Sequence, residues 1–456
     1  MRLGRITAIA QLTVREAVRS RLLLSLGTFL VAGLIGLPLL IAGDNTLAGQ
    51  IQIILNYTLT YATAILTATT LWTSCGGVST EIQDRRLYLV LTKPLHRYEL
   101  WVGKWLGIAG LNAALLILTG FIIGAMTWHA IRNSTDDPVT KRAVCEQFLM
   151  ARETLLPVTP DWSRLIETNT WRLMQSGQAP RGMTANMIRT KLLEELNNQR
   201  FTIPPGKEIR FAYEIAARET GDHDLILNYK LESTRPERAP VAARWLIGYD
   251  PAQVFQVNVT NYPGVPCTLP ISSHVVNRPG TLAITYQRLD SGSQATLMMA
   301  MNNPGPELRV ASGSFSMNLA RGLLVILCKL AFLAALGLVA GCLLSTPVAV
   351  FTAFFIMILL ASAGYVESVA TSGVFYVPHE GPELVQTGLD RLILHLFKAF
   401  SVMTRPLIQL DPVPLLTDGR IVGWDLVLRA MAWLAGLYTA ITALIGIMLF
   451  NRRELG

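Results

Sequence analysis

Hydrophobic and polar positions divide the chain into long charge-free runs separated by ordinary polar sequence. Leu22–Ala42 carries no charged side chain, and neither does the stretch between Asp44 and Glu81. The same holds for Trp105–Trp128 and for Ala430–Asn451. A helix needs about 20 mainly apolar residues to cross a bilayer. The runs therefore predict about six transmembrane helices: Leu22–Ala42, Ile51–Ser74, Trp105–Trp128, Leu323–Leu344, Val348–Ala363 and Ala430–Asn451. Ser345-Thr346-Pro347 reads as a tight turn between the fourth and fifth. Residues 1–21 set Arg2, Arg5, Arg15, Arg19 and Arg21 against Glu16, the pattern of an interfacial amphipathic helix. The apolar run after it is too long for a signal-peptide core, so it reads as an uncleaved first span.

Between the third and fourth spans the periodicity changes. Residues 130–317 have soluble composition and predict an inserted α+β domain, helical over 141–200 and β-rich over 201–313. Thr184 sits where it would cap a helix presenting Ile188, Leu192 and Leu196 on one face. Short β-type segments follow at Ile209–Ile215, Leu225–Leu231, Val241–Ile247, Val254–Val259, Thr281–Tyr286, Ala295–Met299 and Leu308–Ser312. Pro204-Pro205-Gly206, Pro263-Gly264 and Pro279-Gly280 punctuate them, as in a β-sandwich-like fold. The chain thus divides into 1–129, 130–317 and 318–456. The last part includes a mixed segment, 366–428, with an amphipathic helix near Leu389–Met403 and a Pro-rich turn at Asp411-Pro412-Val413-Pro414.

Composition agrees with a membrane protein. Of 456 residues, 51% are hydrophobic and only 15% charged, against roughly 25% charged in soluble proteins. The net charge of +8 lies largely beside the apolar runs, which is the positive-inside pattern rather than a nucleic-acid surface. Basic residues mark the amino terminus, the 76–104 connection and the carboxyl terminus as cytoplasmic, with 130–317 outside. Arg391, Lys398, Arg405, Arg420 and Arg429 in the 366–428 segment run against that assignment. Cys75, Cys328 and Cys342 read as small apolar residues. Cys145 and Cys267 in the insert are either a disulfide or two free thiols.

Few residues suggest chemistry. Thr60, Thr63, Thr67 and Thr70 share one face of the second span, which points to helix packing or to the lining of a translocation path. Lys329 is an intramembrane charge, either functional or snorkelling to headgroups. Met298, Met299 and Met301 form a thioether cluster whose default is core packing. His223 and His274 lack ligand-spaced partners, so no metal site is read. No nucleophile elbow or metalloprotease motif occurs, and Pro205-Gly206-Lys207 cannot build a phosphate loop.

The connection after the second span is the most informative segment. It carries Glu81, Asp84, Arg85, Arg86, Lys93, Pro94, Arg97, Glu99, Gly103 and Lys104. An acidic end to the second span, a Lys-Pro-x-x-Arg turn and a Gly-Lys pair opening the third span resemble the type-2 ABC exporter permeases. The branch linked to copper-enzyme maturation is the nearest in pattern. The closing Phe450-Asn-Arg-Arg-Glu454 and the amphipathic amino-terminal helix are similar to that family as well. The resemblance implies a multi-pass inner-membrane permease with no catalysis of its own. Those ten residues would form an ATPase-coupling loop, and ATP and Mg would sit on a separate ATPase subunit. A second permease half would complete a homodimer or heterodimer. A membrane-anchored binding or scaffold protein with an extracytoplasmic β-domain is the alternative, as is a subunit that transmits force without passing cargo.

Overall fold

The structure, a computed structural model, describes residues 2–41, 46–84, 96–176, 185–204, 206–216, 224–233, 240–250, 253–276, 279–289, 297–299, 306–372 and 388–452. They form two units, one of residues 1–149 with 314–456 and the other of residues 150–313.

The first unit opens with α1 (Arg2–Arg19), α2 (Arg21–Leu40), α3 (Leu47–Gln83), α4 (Arg97–Asn133) and α5 (Pro138–Phe148). Thr46 caps α3, its hydroxyl accepting from the Gly49 N–H at 3.1 Å. Pro138 opens α5, where its missing N–H costs nothing.

The second unit holds β1 (Met150–Leu155), α6 (Ser163–Gln175), α7 (Ala185–Arg200), β2 (Thr202–Ile203), β3 (Glu208–Ile215), β4 (Leu225–Ser233), β5 (Val241–Asp250), β6 (Gln253–Asn261), β7 (Pro266–Ile271), β8 (Gly280–Arg288), β9 (Leu297–Met299) and β10 (Glu307–Ser314). One sheet runs β1-β10-β4-β9-β2 with β7 on the opposite edge of β4, and the other runs β3-β8-β5-β6. The strand pairs with described register are antiparallel. Alternation buries Phe211, Tyr213 and Ile215 of β3 and Leu227 and Leu231 of β4, so the two sheets share one core. Trp245 sits at its centre, edge-on to Tyr229 at 4.9 Å and to Tyr286 at 4.8 Å. Buried phenols need partners. Tyr229 donates to Asn261 Oδ1 at 2.8 Å, Asn261 Nδ2 donates to Tyr286 at 3.2 Å, and Tyr213 donates to the Pro306 carbonyl at 2.6 Å.

Burial pushes the Tyr229 phenol up to about 12 and raises Tyr213 as well. A phenol ionises at about 10 when unfolded. The folded unit therefore binds these protons more tightly, and its stability is complete below about pH 10. That stability is lost as pH rises through the folded values. An alkaline titration followed by tyrosinate absorbance reads this directly. The Tyr213 and Tyr229 signals should appear only together with loss of near-UV circular dichroism. A Tyr229→Phe variant should lose part of the late phase.

The chain returns to the first unit with α8 (Phe315–Leu343), α9 (Thr346–Ser372), α10 (Gly388–Gln409), α11 (Val413–Thr417), α12 (Trp424–Ala430), a π-helical segment Met431–Tyr438, and α13 (Thr439–Arg452). Four helical segments are long and apolar enough to cross a membrane: Leu47–Gln83, Arg97–Asn133, Phe315–Leu343 and Trp424–Leu449. A fifth is reached if the bent pair Gly4–Arg19 and Leu24–Leu40 counts as one crossing. Among the described residues this gives four to five candidate crossings, where the sequence predicts about six. Beside these the described residues hold a shorter apolar stretch, Pro347–Ser362, within the 27-residue helix α9.

α8 is the hub of this unit. Gly337 and Gly341 lie one turn apart and bring it onto α3. A Cβ on Gly341 would stand 2.5 Å from the Cys75 carbonyl oxygen. The segment after α10 runs back along the first half of α8. Lys329 pairs with Asp411 at 3.9 Å, Leu416 covers Gly322, and Asn318 donates to the Arg420 carbonyl at 2.8 Å. Asn318 Oδ1 also accepts from Val422 N–H at 2.7 Å.

Candidate functional site

The carboxyl end of α3 and the amino end of α4 bracket the charged connection. Glu81 sits in the last turn of α3 and Lys104 in the second turn of α4. Their side chains form an ion pair with 20% and 9% of their surface exposed. Water screens so covered a pair poorly, and removing one partner strands the other charge at a cost of about 3–5 kcal/mol.

Glu99 completes the start of α4 and has no exposed surface. Its Oε2 accepts from the His96 backbone N–H at 3.1 Å, which is the return half of a capping box. A carboxylate there also meets the positive end of the helix dipole. The Arg5 guanidinium of α1 stands 4.0 Å from the same oxygen.

α1 can reach Glu99 because α4 offers it glycines. A Cβ on Gly103 would stand 2.7 Å from the Ile9 side chain, and one on Gly107 would stand 2.8 Å from the Ala10 carbonyl oxygen. Two small residues four apart let the helix backbones touch. On another face of α4, Trp105 Nε1 donates to the Ala331 carbonyl of α8 at 2.9 Å. The ends of α3 and α4 are thus joined to each other, to α1 and to α8 by direct contacts.

The residues singled out from sequence fall into four groups. Glu81, Glu99, Gly103 and Lys104 converge on this joint, with Arg97 opening α4 and exposed Asp84 capping α3. Arg85, Arg86, Lys93 and Pro94 lie outside the described residues. On α3, Thr67 and Thr70 are buried, Thr63 is half-buried and Thr60 is exposed. The Thr63 and Thr70 hydroxyls donate to their own helix, to the carbonyls of Leu59 at 2.8 Å and Leu66 at 2.6 Å. Lys329 lies at the midpoint of α8, about 21 Å along the helix from Phe315. Its partner Asp411 also accepts from the Val413 N–H at 3.1 Å, so the acid both caps α11 and holds the cation.

Sequence reasoning missed Arg5 and Asp411 as partners. A single acid in a Pro-rich turn and a single lysine in an apolar run were the available signal for Asp411. Cys145 and Cys267 are both free thiols. Met298 lies opposite Glu232 and Met299 opposite Leu231 in the strand register, whereas Met301 lies outside the described residues. Among the described residues no group of three or more His, Cys, Asp or Glu side chains is placed to hold a metal ion.

No family model, no curated protein and no solved structure matches this chain.

Proposed function

We propose that this chain is the membrane-spanning permease subunit of an ATP-driven transporter, worked by a separate ATPase that docks on the connection between α3 and α4. The observation that supports it most is the joint just described. The facing ends of two long apolar helices are tied together by a largely buried ion pair, and an amphipathic helix packs on the second of them. Such a joint resists bending and passes displacement to the helices as rigid bodies. The distribution of basic residues supports a cytoplasmic position for that connection, with both termini cytoplasmic and residues 130–317 outside. ATP and Mg belong to the partner ATPase, and a second permease half completes the pathway. The sandwich-like β-unit would receive or gate what is moved.

One observation favours a variant of this reading in which force is transmitted and no cargo passes. The Thr63 and Thr70 hydroxyls are occupied by their own helix carbonyls, so they offer little to a polar substrate. Transport assays in sealed vesicles separate the two variants.

Docking is tested with a photo-reactive side chain placed at exposed Asp84, and as a control at Trp128 near the far end of α4. The proposal expects a cross-link to an ATP-binding protein from position 84 and none from 128. Cross-linking from neither position, or from 128 alone, contradicts it.

A further inference from the structure

Between α1, α3 and α4 lies a cavity of about 680 Å³, within the range of roughly 300–1,000 Å³ typical of ligand sites. Its wall is more apolar than polar, and the charges on it balance. α1 contributes Thr13, Glu16 and Arg19 to it, α3 contributes Thr73, Thr80 and Glu81, and α4 contributes Lys104. Two anions and two cations give it no net charge, so it suits a zwitterion better than an anion or a cation.

Gly76 and Gly77 also line this cavity. Each glycine inside a helix costs about 1 kcal/mol relative to alanine. Gly103, Gly107, Gly337 and Gly341 are explained by a neighbouring helix that a Cβ would strike. Gly76 and Gly77 are not, because a Cβ on either would meet nothing within 4 Å. The helix gives up two side chains where no part of the described chain needs the space.

Two apolar grooves border the cavity. One, of about 310 Å³, shares Trp72 with it and runs past Leu26, Leu71, Phe354 and Met357. The other, of about 590 Å³, shares Leu111 with it and runs past Leu30, Val31 and Leu115. A chamber bearing charges of both signs, bordered by two apolar grooves, matches a headgroup with two chains.

We propose that this cavity binds one two-chain phospholipid with a zwitterionic headgroup. Its phosphate lies toward Arg19, its ammonium toward Glu16, and one acyl chain fills each groove. The lipid takes the place of the side chains missing at Gly76 and Gly77 and wedges α1 against α3. This site does not depend on an ATPase or on transport.

The test is native mass spectrometry of the full chain, stripped of lipid in detergent and titrated separately with four probes. These are dioleoyl phosphatidylethanolamine, dioleoyl phosphatidylglycerol, dioleoylglycerol and glycerophosphoethanolamine. One phosphatidylethanolamine per chain should bind at least about tenfold more tightly than any of the other three, about 1.4 kcal/mol or more. Gly77→Leu, which fills the chamber, should lose that preference while keeping its thermal midpoint. Arg19→Glu on the exposed rim should weaken binding as well. Gly110→Leu, at a glycine equally free of neighbours but outside the cavity, should change nothing. Equal binding of diacylglycerol or phosphatidylglycerol would overturn the proposal. So would tight binding of glycerophosphoethanolamine alone, or unaltered phosphatidylethanolamine binding in folded Gly77→Leu or Arg19→Glu.

Discussion

Replacing Gly341 by leucine is expected to cost most of the folded helical unit, with a loss of about 3 kcal/mol or more. At this position α8 lies on the backbone of α3. The new Cβ would stand 2.5 Å from the Cys75 carbonyl oxygen and 3.2 Å from that of Ser74. Backbone atoms cannot rotate away as a side-chain tip can, so the two helices must separate. The same contact buries Leu71, Cys75, Val325, Cys328 and Phe332 in one cluster, and separation exposes all of them together. Size-exclusion profiles and thermal midpoints in mild detergent measure the effect. Gly364→Leu on α9, where a Cβ meets nothing within 4 Å, should leave both unchanged.

The second large effect is expected at the Glu81–Lys104 pair. Lys104→Met leaves a largely buried carboxylate without its cation and should destabilise by about 3 kcal/mol. Glu81→Gln strands the ammonium in the same way. The double variant removes both charges and should cost clearly less than the sum of the single changes. Exchanging the two residues, Glu81→Lys with Lys104→Glu, should recover part of the stability that either reversal alone removes. A double-mutant cycle on thermal midpoints gives the coupling. Coupling close to zero would mean that the two side chains are solvated independently, and the joint would lose its central contact.

Much of the β-unit was readable from alternation alone. The seven segments read as strands are strands β3, β4, β5, β6, β8, β9 and β10. Their patterns are strict because one face of each sheet is buried; Phe211, Tyr213 and Ile215 illustrate this. β7 escaped because Pro266 and Pro270 argue against a strand. Proline is tolerated there because, among the described residues, β7 pairs with β4 alone and so sits at the sheet edge. β1 escaped because it carries Arg152 and Glu153. Arg152 is nevertheless buried, its guanidinium donating to the Asp224 carbonyl at 2.7 Å.

The helical unit was less readable, since hydropathy reports length and not depth. Residues 411–422 look like an ordinary polar connection, yet they pack along α8 from Lys329 back to Asn318. Nothing in the local sequence tells Asp411 that its cation lies some eighty residues earlier. The joint shows the same division. The charges of Glu81, Glu99 and Lys104 and the glycine at 103 stand out in sequence by type and spacing. Their convergence, and the part played by Arg5, depend on α1 crossing α4, which is a tertiary contact.

The central claim is that the connection between α3 and α4 receives force from a separate ATPase. Its most direct test is purification of the tagged full chain from native membranes in mild detergent, followed by mass spectrometry and an ATP hydrolysis assay. A stoichiometric partner carrying a phosphate-binding loop is expected, together with ATPase activity that this chain lacks alone. Arg97→Glu, at the first residue of α4, should release the partner while the chain stays folded. A homogeneous, folded preparation with no such partner, or a partner retained undiminished by Arg97→Glu, would contradict it.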